Sequence, residues 1–377
     1  MRKETARGRS GKKPREAQVR DNPAPLRYEL EVTPGLEEFA TAELQRRHAP
    51  AATLLPAAKP GNVGFAYEGD PRELLELRTA GAVYAVRQFA VPRPLALLGH
   101  QHLQQVLRLV QVALALHPFG AFETFRISAA GADSRVFERL RAEIASDTGL
   151  QSTMEGGDLL VRVRRALSGE GFEVSVRLSP RPLSARRWRV CDMPGALNAS
   201  VARVMVDLTR PMPADVYLNL ACGSGTLLIE RLQRGPAHEV LGIDTDPQAL
   251  ACAQRNLHAA GYHRAARLAQ EDAGSLPMPD ASVSALTGDL PFGHLVGSHR
   301  ENELLYPRLL AEAARVAVPG ARMVLLTSEA RLFEQVLAAE VRRWQQEREI
   351  RLVMDGAHLR IYVLVRRPQM QLEQEFP

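Results

Sequence analysis

Two hydrophobic periods divide the chain. In the front part, short apolar runs are interleaved with amphipathic segments. Residues 28–47 (YELEVTPGLEEFATAELQRR) predict a strand, a Pro-Gly turn and a helix. A short apolar stretch follows at 62–67, and then a helix is expected at 71–79 and another strand at 82–91. Residues 100–116 have helical spacing. A second unit of the same kind begins at 124 (TFRIS), with a helix at 134–149 and strands at 159–165 and 172–178. No longer period recurs often enough for a solenoid.

Residues 180–195 (PRPLSARRWRVCDMPG) carry three prolines and four arginines and read as a connector. Beyond it, apolar runs at 216–221, 240–243, 266–270, 282–287 and 321–327 alternate with helical segments. Such alternation implies right-handed crossovers and a parallel, doubly wound α/β sheet. The run 358–366 (HLRIYVLVR) follows without an obvious crossover and is expected to be an antiparallel edge strand.

A length of 377 residues is more than one core usually carries. The divisions expected are a basic tail (1–25), two α+β units (26–100 and 101–180), a linker (181–195) and the doubly wound domain (196–377). No uncharged apolar run reaches the ~18 residues of a membrane span. The basic N-terminus has no apolar h-region, so a cytoplasmic location is expected. Cys191, Cys222 and Cys252 are few, odd in number and not in CxxC spacing, which predicts neither a disulfide framework nor a zinc site.

The net charge of +5 equals that of the tail, whose eight Lys/Arg and three Asp/Glu give 8 − 3 = +5. Its composition predicts disorder, either as a solubilising arm or as one that touches a polyanion. Residues 160–190 concentrate eight arginines against Glu170 and Glu173, a density suited to phosphate contact. Arg181, Arg186, Arg187 and Arg189 in the connector are the candidates for RNA contact. Trp188 among them reads as linker packing before base stacking.

The candidate chemistry lies where strands end. The first turn of the back half reads Asn219-Leu220-Ala221-Cys222-Gly223-Ser224-Gly225-Thr226. Two glycines allow a sharp turn and close approach to a ligand. A dinucleotide site would want a third glycine at position 228, which is Leu228. The next strand ends in Asp244, 19 positions after Gly225 (244 − 225), suited to ribose hydroxyls. Asp246-Pro247 reads as a helix cap and first turn, leaving Asp244 free. Asp272-Ala273 follows the third strand, and Asp289-Leu290-Pro291-Phe292-Gly293 ends the fourth. Alone, that last segment is more often a turn. In an open α/β sheet, however, ligands sit beyond the carboxyl ends of the strands.

Taken in order, these segments resemble the class I S-adenosylmethionine-dependent methyltransferases. The last is similar to the [Asn/Asp]-Pro-Pro-[Tyr/Phe] turn of amine-directed members. That resemblance spans roughly residues 190–370. The front half resembles a THUMP module preceded by a ferredoxin-like domain. Residues 182–208 and 297–307 resemble segments of RNA guanine-N2 methyltransferases.

The resemblance implies S-adenosylmethionine as cofactor. Leu197, Asn219, Ala221, Gly223, Gly225 and Thr226 would approach its methionine end, Asp244 its ribose, and Asp272 with Ala273 its adenine. Asp289 and the Leu290 carbonyl would hold the target amine, Pro291 would stiffen the turn, and Phe292 would stack on the base. The reaction implied is methyl transfer to guanosine N2 in RNA, with tRNA as the partner, no membrane, and an oligomeric state left open with a monomer as default. Ribosomal RNA, an adenine N6 acceptor and a non-catalytic RNA-binding protein remain alternatives. Position 219 departs from the commoner aspartate and position 290 from proline.

Overall fold

The computed structural model describes residues 26–56, 59–166, 169–290, 298–354 and 356–368. Among these residues the strands form two sheets. The expectation for the 1–25 tail lies outside the described residues.

The front half contains β1 (Arg27–Glu31), α1 (Glu37–His48), β2 (Ala52–Leu54), β3 (Asn62–Tyr67) and β4 (Ala82–Phe89). It continues through α2 (His100–Leu114), β5 (Thr124–Ala129), α3 (Arg135–Thr148), β6 (Gln151–Ser152), β7 (Leu159–Arg165) and β8 (Phe172–Arg177). The helix expected at 71–79 is a short 3-10 segment, Pro71–Glu76, started by Asp70 and a proline at its first position.

The two front units are joined edge to edge. Strand β4 pairs antiparallel with β8, from Tyr84↔Arg177 to Phe89↔Phe172. The result is one eight-stranded sheet in the order β2-β3-β1-β4-β8-β7-β5-β6. The division expected at 100/101 is therefore no break in the sheet.

Much of the arginine stripe turns inward. Arg164 donates to Glu29 Oε2 at 2.7 Å and to Glu173 Oε1 at 2.7 Å, while Arg162 pairs with Glu31 and lies 4.4 Å from the Tyr84 ring centre. Arg177 is buried and donates to three backbone carbonyls, of Ser179, Asp158 and Pro180. These guanidiniums pin the sheet face to itself, which corrects the expectation that the stripe as a whole faces phosphate.

The back half runs α4 (Ala199–Leu208), β9 (Val216–Leu220), α5 (Thr226–Arg234), β10 (Glu239–Asp244), α6 (Pro247–Ala259), β11 (Arg267–Gln270) and β12 (Val283–Asp289). Then follow α7 (His299–Val316), β13 (Ala317–Thr327), α8 (Ala330–Ala339), β14 (Trp344–Met354) and β15 (Ala357–Arg366). The sheet order is β11-β10-β9-β12-β13-β15-β14, with the first five strands parallel. Strand β15 is antiparallel, as expected, but it is not the edge. It lies between β13 and β14.

The halves are packed together. One apolar cluster runs from Leu30 and Val83 in the front sheet through Val201 and Met205 of α4 to Ile350 and Leu352 of β14. At Gly35 the backbone has φ +100°, and an added Cβ would fall 2.0 Å from the Arg351 carbonyl oxygen. The β1–α1 turn thus lies directly on the edge strand β14, where Val353 N–H donates to Pro34 O at 3.1 Å. Covering an edge in this way removes a template for unwanted pairing.

Cys191 and Cys252 form a disulfide, with Cα atoms 5.5 Å apart, fastening the linker to α6. This corrects the expectation of unpaired cysteines. The partners are 61 positions apart, and nothing local in the sequence announces their meeting.

Candidate active site at the strand tips

Strands β9 and β12 are neighbours in the sheet, and the chain leaves them in opposite directions, toward β10 and toward β13. The carboxyl ends at such a switch point bound a crevice. The ends of β11, β10, β9 and β12 bring together the segments containing Asp272, Asp244, Asn219–Thr226 and Asp289.

The β9–α5 loop is shaped by backbone requirements. Ala221, Gly223 and Gly225 have φ of 52°, 53° and 83°. A Cβ at Gly223 would meet nothing within 4 Å, so glycine there serves the turn and leaves space open. A Cβ at Gly225 would come 3.1 Å from Ala253 Cβ, so glycine there permits close packing on α6. Cys222 N–H donates to Ile243 O at 2.7 Å, and Gly223 N–H donates to Asp244 Oδ2 at 2.8 Å. The loop is therefore tied to the end of β10. Burial pushes the Cys222 thiol up, consistent with an unreactive packing residue.

Asp244 also accepts from Asp246 N–H through Oδ1 at 3.0 Å, while Asp246 itself caps α6. Asp272 accepts from Gly274 N–H at 2.7 Å and from Arg308 Nη2 at 2.7 Å. The Gly274 bond, and after it the Arg308 guanidinium, hold the Asp272 carboxyl below its ordinary range despite partial burial. Ala273 is buried beside it. Arg308 lies on α7, 36 positions away, and sequence reading missed it.

Asn219 is fully buried, and its amide donates to the carbonyls of Leu220 (3.3 Å) and Thr287 (3.2 Å). Two facing carbonyls require the NH2 group on that side, which turns Oδ1 the other way. That oxygen is buried without a hydrogen-bond partner among the described residues. One strand over, Asp289 Oδ1 is likewise buried without a partner among the described residues. Burial pushes the Asp289 carboxyl up to about 7. Leu290 N–H donates to Leu326 O at 3.0 Å, carrying the β12–β13 ladder one residue past the strand. Pro291 and Phe292 lie outside the described residues.

Around Asp289, α7 and the end of β13 supply a polar network that sequence reading only touched. Asn302 donates to Glu329 Oε1 at 2.7 Å, His299 pairs with Glu329, and Tyr306 OH lies 2.9 Å from Thr327 Oγ1. Asn302 and Tyr306 are four residues apart on one helix face, a spacing that could have signalled the pair. Glu301 is exposed in the first turn of α7.

The linker arginines separate into two kinds. Arg181 and Arg187 are exposed. Arg186 is buried and donates to Glu230 Oε1 at 2.8 Å, which corrects its expected role as an RNA contact. Arg189 bonds to Leu197 O at 2.6 Å and Thr226 Oγ1 at 2.9 Å, placing it at the β9–α5 loop instead. Trp188 is buried, as linker packing requires. Leu197 is buried, and Asn198 caps α4 by accepting from Ser200 N–H at 2.9 Å.

The strand order is that of the class I methyltransferase α/β fold. Residues 186–360 match the family UPF0020, described as an RMKL-like methyltransferase domain. The chain is 30% identical over 188 residues to tRNA (guanine(6)-N(2))-methyltransferase THUMP3 of Bos taurus, covering 47% of this chain and 37% of that protein. It is 31% identical over 178 residues to a tRNA (guanine(6)-N2)-methyltransferase of Thermus thermophilus, covering 47% of this chain and 52% of that one. The chain thus spans about half, or less, of the length of these curated relatives. Its fold is similar to the crystal structure of TrmN from Thermus thermophilus, with TM-score 0.71 and 25% identity, over 90% of this chain and 99% of that one.

Proposed function

We propose that the protein transfers a methyl group from S-adenosylmethionine to the exocyclic N2 amine of a guanosine in tRNA. The observation that carries this reading is the pair of buried acceptors without a partner among the described residues, Asn219 Oδ1 and Asp289 Oδ1, on neighbouring central strands. Buried polar atoms are normally satisfied, so such atoms at a strand-tip crevice fit groups that a ligand brings. The names of the relatives support the acceptor and the RNA class.

The residues fit the cofactor. The open turn at Gly223 admits a methionine chain, Asn219 Oδ1 suits its amine, Asp244 its ribose hydroxyls and Asp272 its adenine amine. When bound, the cofactor supplies an electrophilic methyl group on a sulfonium. Asp289 and the Leu290 carbonyl take the two hydrogens of the target amine, whose lone pair is otherwise conjugated with the ring. That favours a pyramidal nitrogen with its lone pair aimed at the methyl group. Holding the base in this geometry accounts for several kcal/mol of the barrier, on the order of an intramolecular reaction's advantage. Phe292 is assigned the stacking role, worth about 1–3 kcal/mol. The amine acidifies only after methylation, so no strong base is needed at that step. The front half, read as a ferredoxin-like and THUMP unit, and exposed Arg181 and Arg187 grip the RNA body.

The test is methyl transfer from labelled S-adenosylmethionine to unmodified tRNA, followed by nucleoside analysis. Label in N2-methylguanosine is expected. Asp289→Ala should reduce the rate about 10²–10³-fold, the scale for losing one preorganised polar contact, while still binding cofactor. Label only in adenosine or in ribosomal RNA would correct the acceptor, and no transfer to any RNA would overturn the reading.

A further inference from the structure

Arg189 is bonded to the candidate cofactor loop at Thr226, and the catalytic reading above leaves it without a task. Its Nη2 bridges two segments, the carbonyl of Leu197 just before α4 and the hydroxyl of Thr226, the first residue of α5. Its acidic neighbour, Asp192 Oδ1, lies 3.5 Å from Nη1, and that carboxylate side chain is 74% exposed. An ion pair of that length to a solvated partner compensates a charge poorly. The Arg189 side chain is only 16% exposed, and its Nε–H is buried with no acceptor among the described residues.

The loop itself points the same way. Helix α5 opens at Gly225, which offers no side chain to cap the first N–H groups. A helix start with an uncapped positive end favours an anion. The Arg189 guanidinium, bonded to the first residue of that helix, adds a second donor set of the same sign.

We propose that Arg189 is the counter-charge for the α-carboxylate of the cofactor's methionine end, so that the linker forms one wall of the cofactor site. A guanidinium suits this task because its planar donors match a carboxylate and its charge persists when buried. The proposal rests on the methyltransferase reading above. It moves Arg189 from RNA contact to cofactor contact. It also links the front half to the chemistry, because Arg186, three residues earlier, is bonded to the Arg78 carbonyl of the front half at 2.8 Å.

The experiment is a binding cycle on the full chain, read by calorimetry. S-adenosylhomocysteine and its carboxamide, which differs only in the carboxylate, are titrated into wild type, Arg189→Gln and Arg189→Lys. Wild type is expected to prefer the carboxylate by about tenfold or more, a typical worth for a charge-assisted pair. Arg189→Gln should bring that preference to about twofold or less, and Arg189→Lys should restore part of it. Thermal melting reports whether each variant folds, and a preference reduced in Arg189→Lys carries the test if Arg189→Gln does not fold. Equal binding of the two ligands by wild type would overturn the assignment, as would a preference that Arg189→Gln leaves intact. Equal weakening of both ligands would reduce Arg189 to a loop anchor and overturn it too. Failure of wild type to bind either ligand would instead overturn the cofactor reading itself.

Discussion

At the residue scale, the two departures from the commoner methyltransferase pattern both have a physical account. Asparagine at 219 faces two carbonyls, of Leu220 and Thr287. A carboxylate there would meet acceptors with an acceptor, whereas an amide donates to both and turns its oxygen the other way. Asp289 is set by a different force. Its carboxyl is raised from 3.8 to about 7, and burial is the cause. The raised value means the native state holds this proton more tightly than the unfolded chain. The associated stability is fully present below about pH 4 and is lost as pH rises through about 7. Activity should run the other way, because the ionised oxygen is the stronger acceptor for an amine hydrogen. The expected kcat/KM therefore rises with pH through about 7, and Asp289→Asn should lose that limb. A wild-type profile flat from about pH 5.5 to 8.5 would contradict this.

At the element scale, Leu290 shows why a less rigid residue is tolerated in the turn. Its N–H extends the β12–β13 ladder to Leu326 O, and its side chain is 1% exposed within the back-half core. Proline would remove the donor and part of that packing. Leu290→Pro is expected to destabilise the protein by about 1–3 kcal/mol, the scale of one lost buried hydrogen bond plus apolar contact. Urea unfolding would measure it, and a midpoint equal to wild type would show that the ladder does not hold the turn. Strand β14 carries another lesson at this scale. Its segment WQQEREIRLVM has buried positions at Trp344, Ile350 and Leu352, but a register shift between Gln346 and Arg348 breaks the alternation. A bulged, highly charged edge strand has no clean period of two, so pattern reading passed over it.

At the scale of the whole molecule, the two halves are bolted together behind the β9–α5 loop. Arg186 and Glu230 have side chains 3% and 0% exposed, with nitrogen and oxygen 2.8 Å apart, and Arg203 approaches the other Glu230 oxygen at 3.9 Å. Breaking a buried pair by removing one partner leaves a charge without compensation, a loss of about 3–5 kcal/mol. Arg186→Met should therefore lower stability by that order in chemical unfolding. A change below about 1 kcal/mol would place the pair among those that contribute little. Since Glu230 lies on α5, which follows directly on the β9–α5 loop, the variant is also expected to weaken cofactor binding.

Legibility followed sequence distance. Strand tips, glycine turns and caps depend on residues a few positions apart, so the strand-end positions of Asp244, Asp272, Asp289 and the Gly223–Gly225 loop could be read locally. So could the parallel order of the back sheet, because alternating strands and helices admit few right-handed topologies. What local reading could not reach depends on partners that only folding brings together. The fusion of the two front units through β4 and β8, the Cys191–Cys252 bond and the Asp272–Arg308 pair each join distant positions. The arginines show the difference most plainly. Sequence alone determined that residues 160–190 are rich in positive charge. Only the tertiary structure decided that Arg162, Arg164, Arg177 and Arg186 spend theirs on internal acceptors while Arg181 and Arg187 remain exposed, because the burial of a guanidinium is decided by which acceptors the fold places around it.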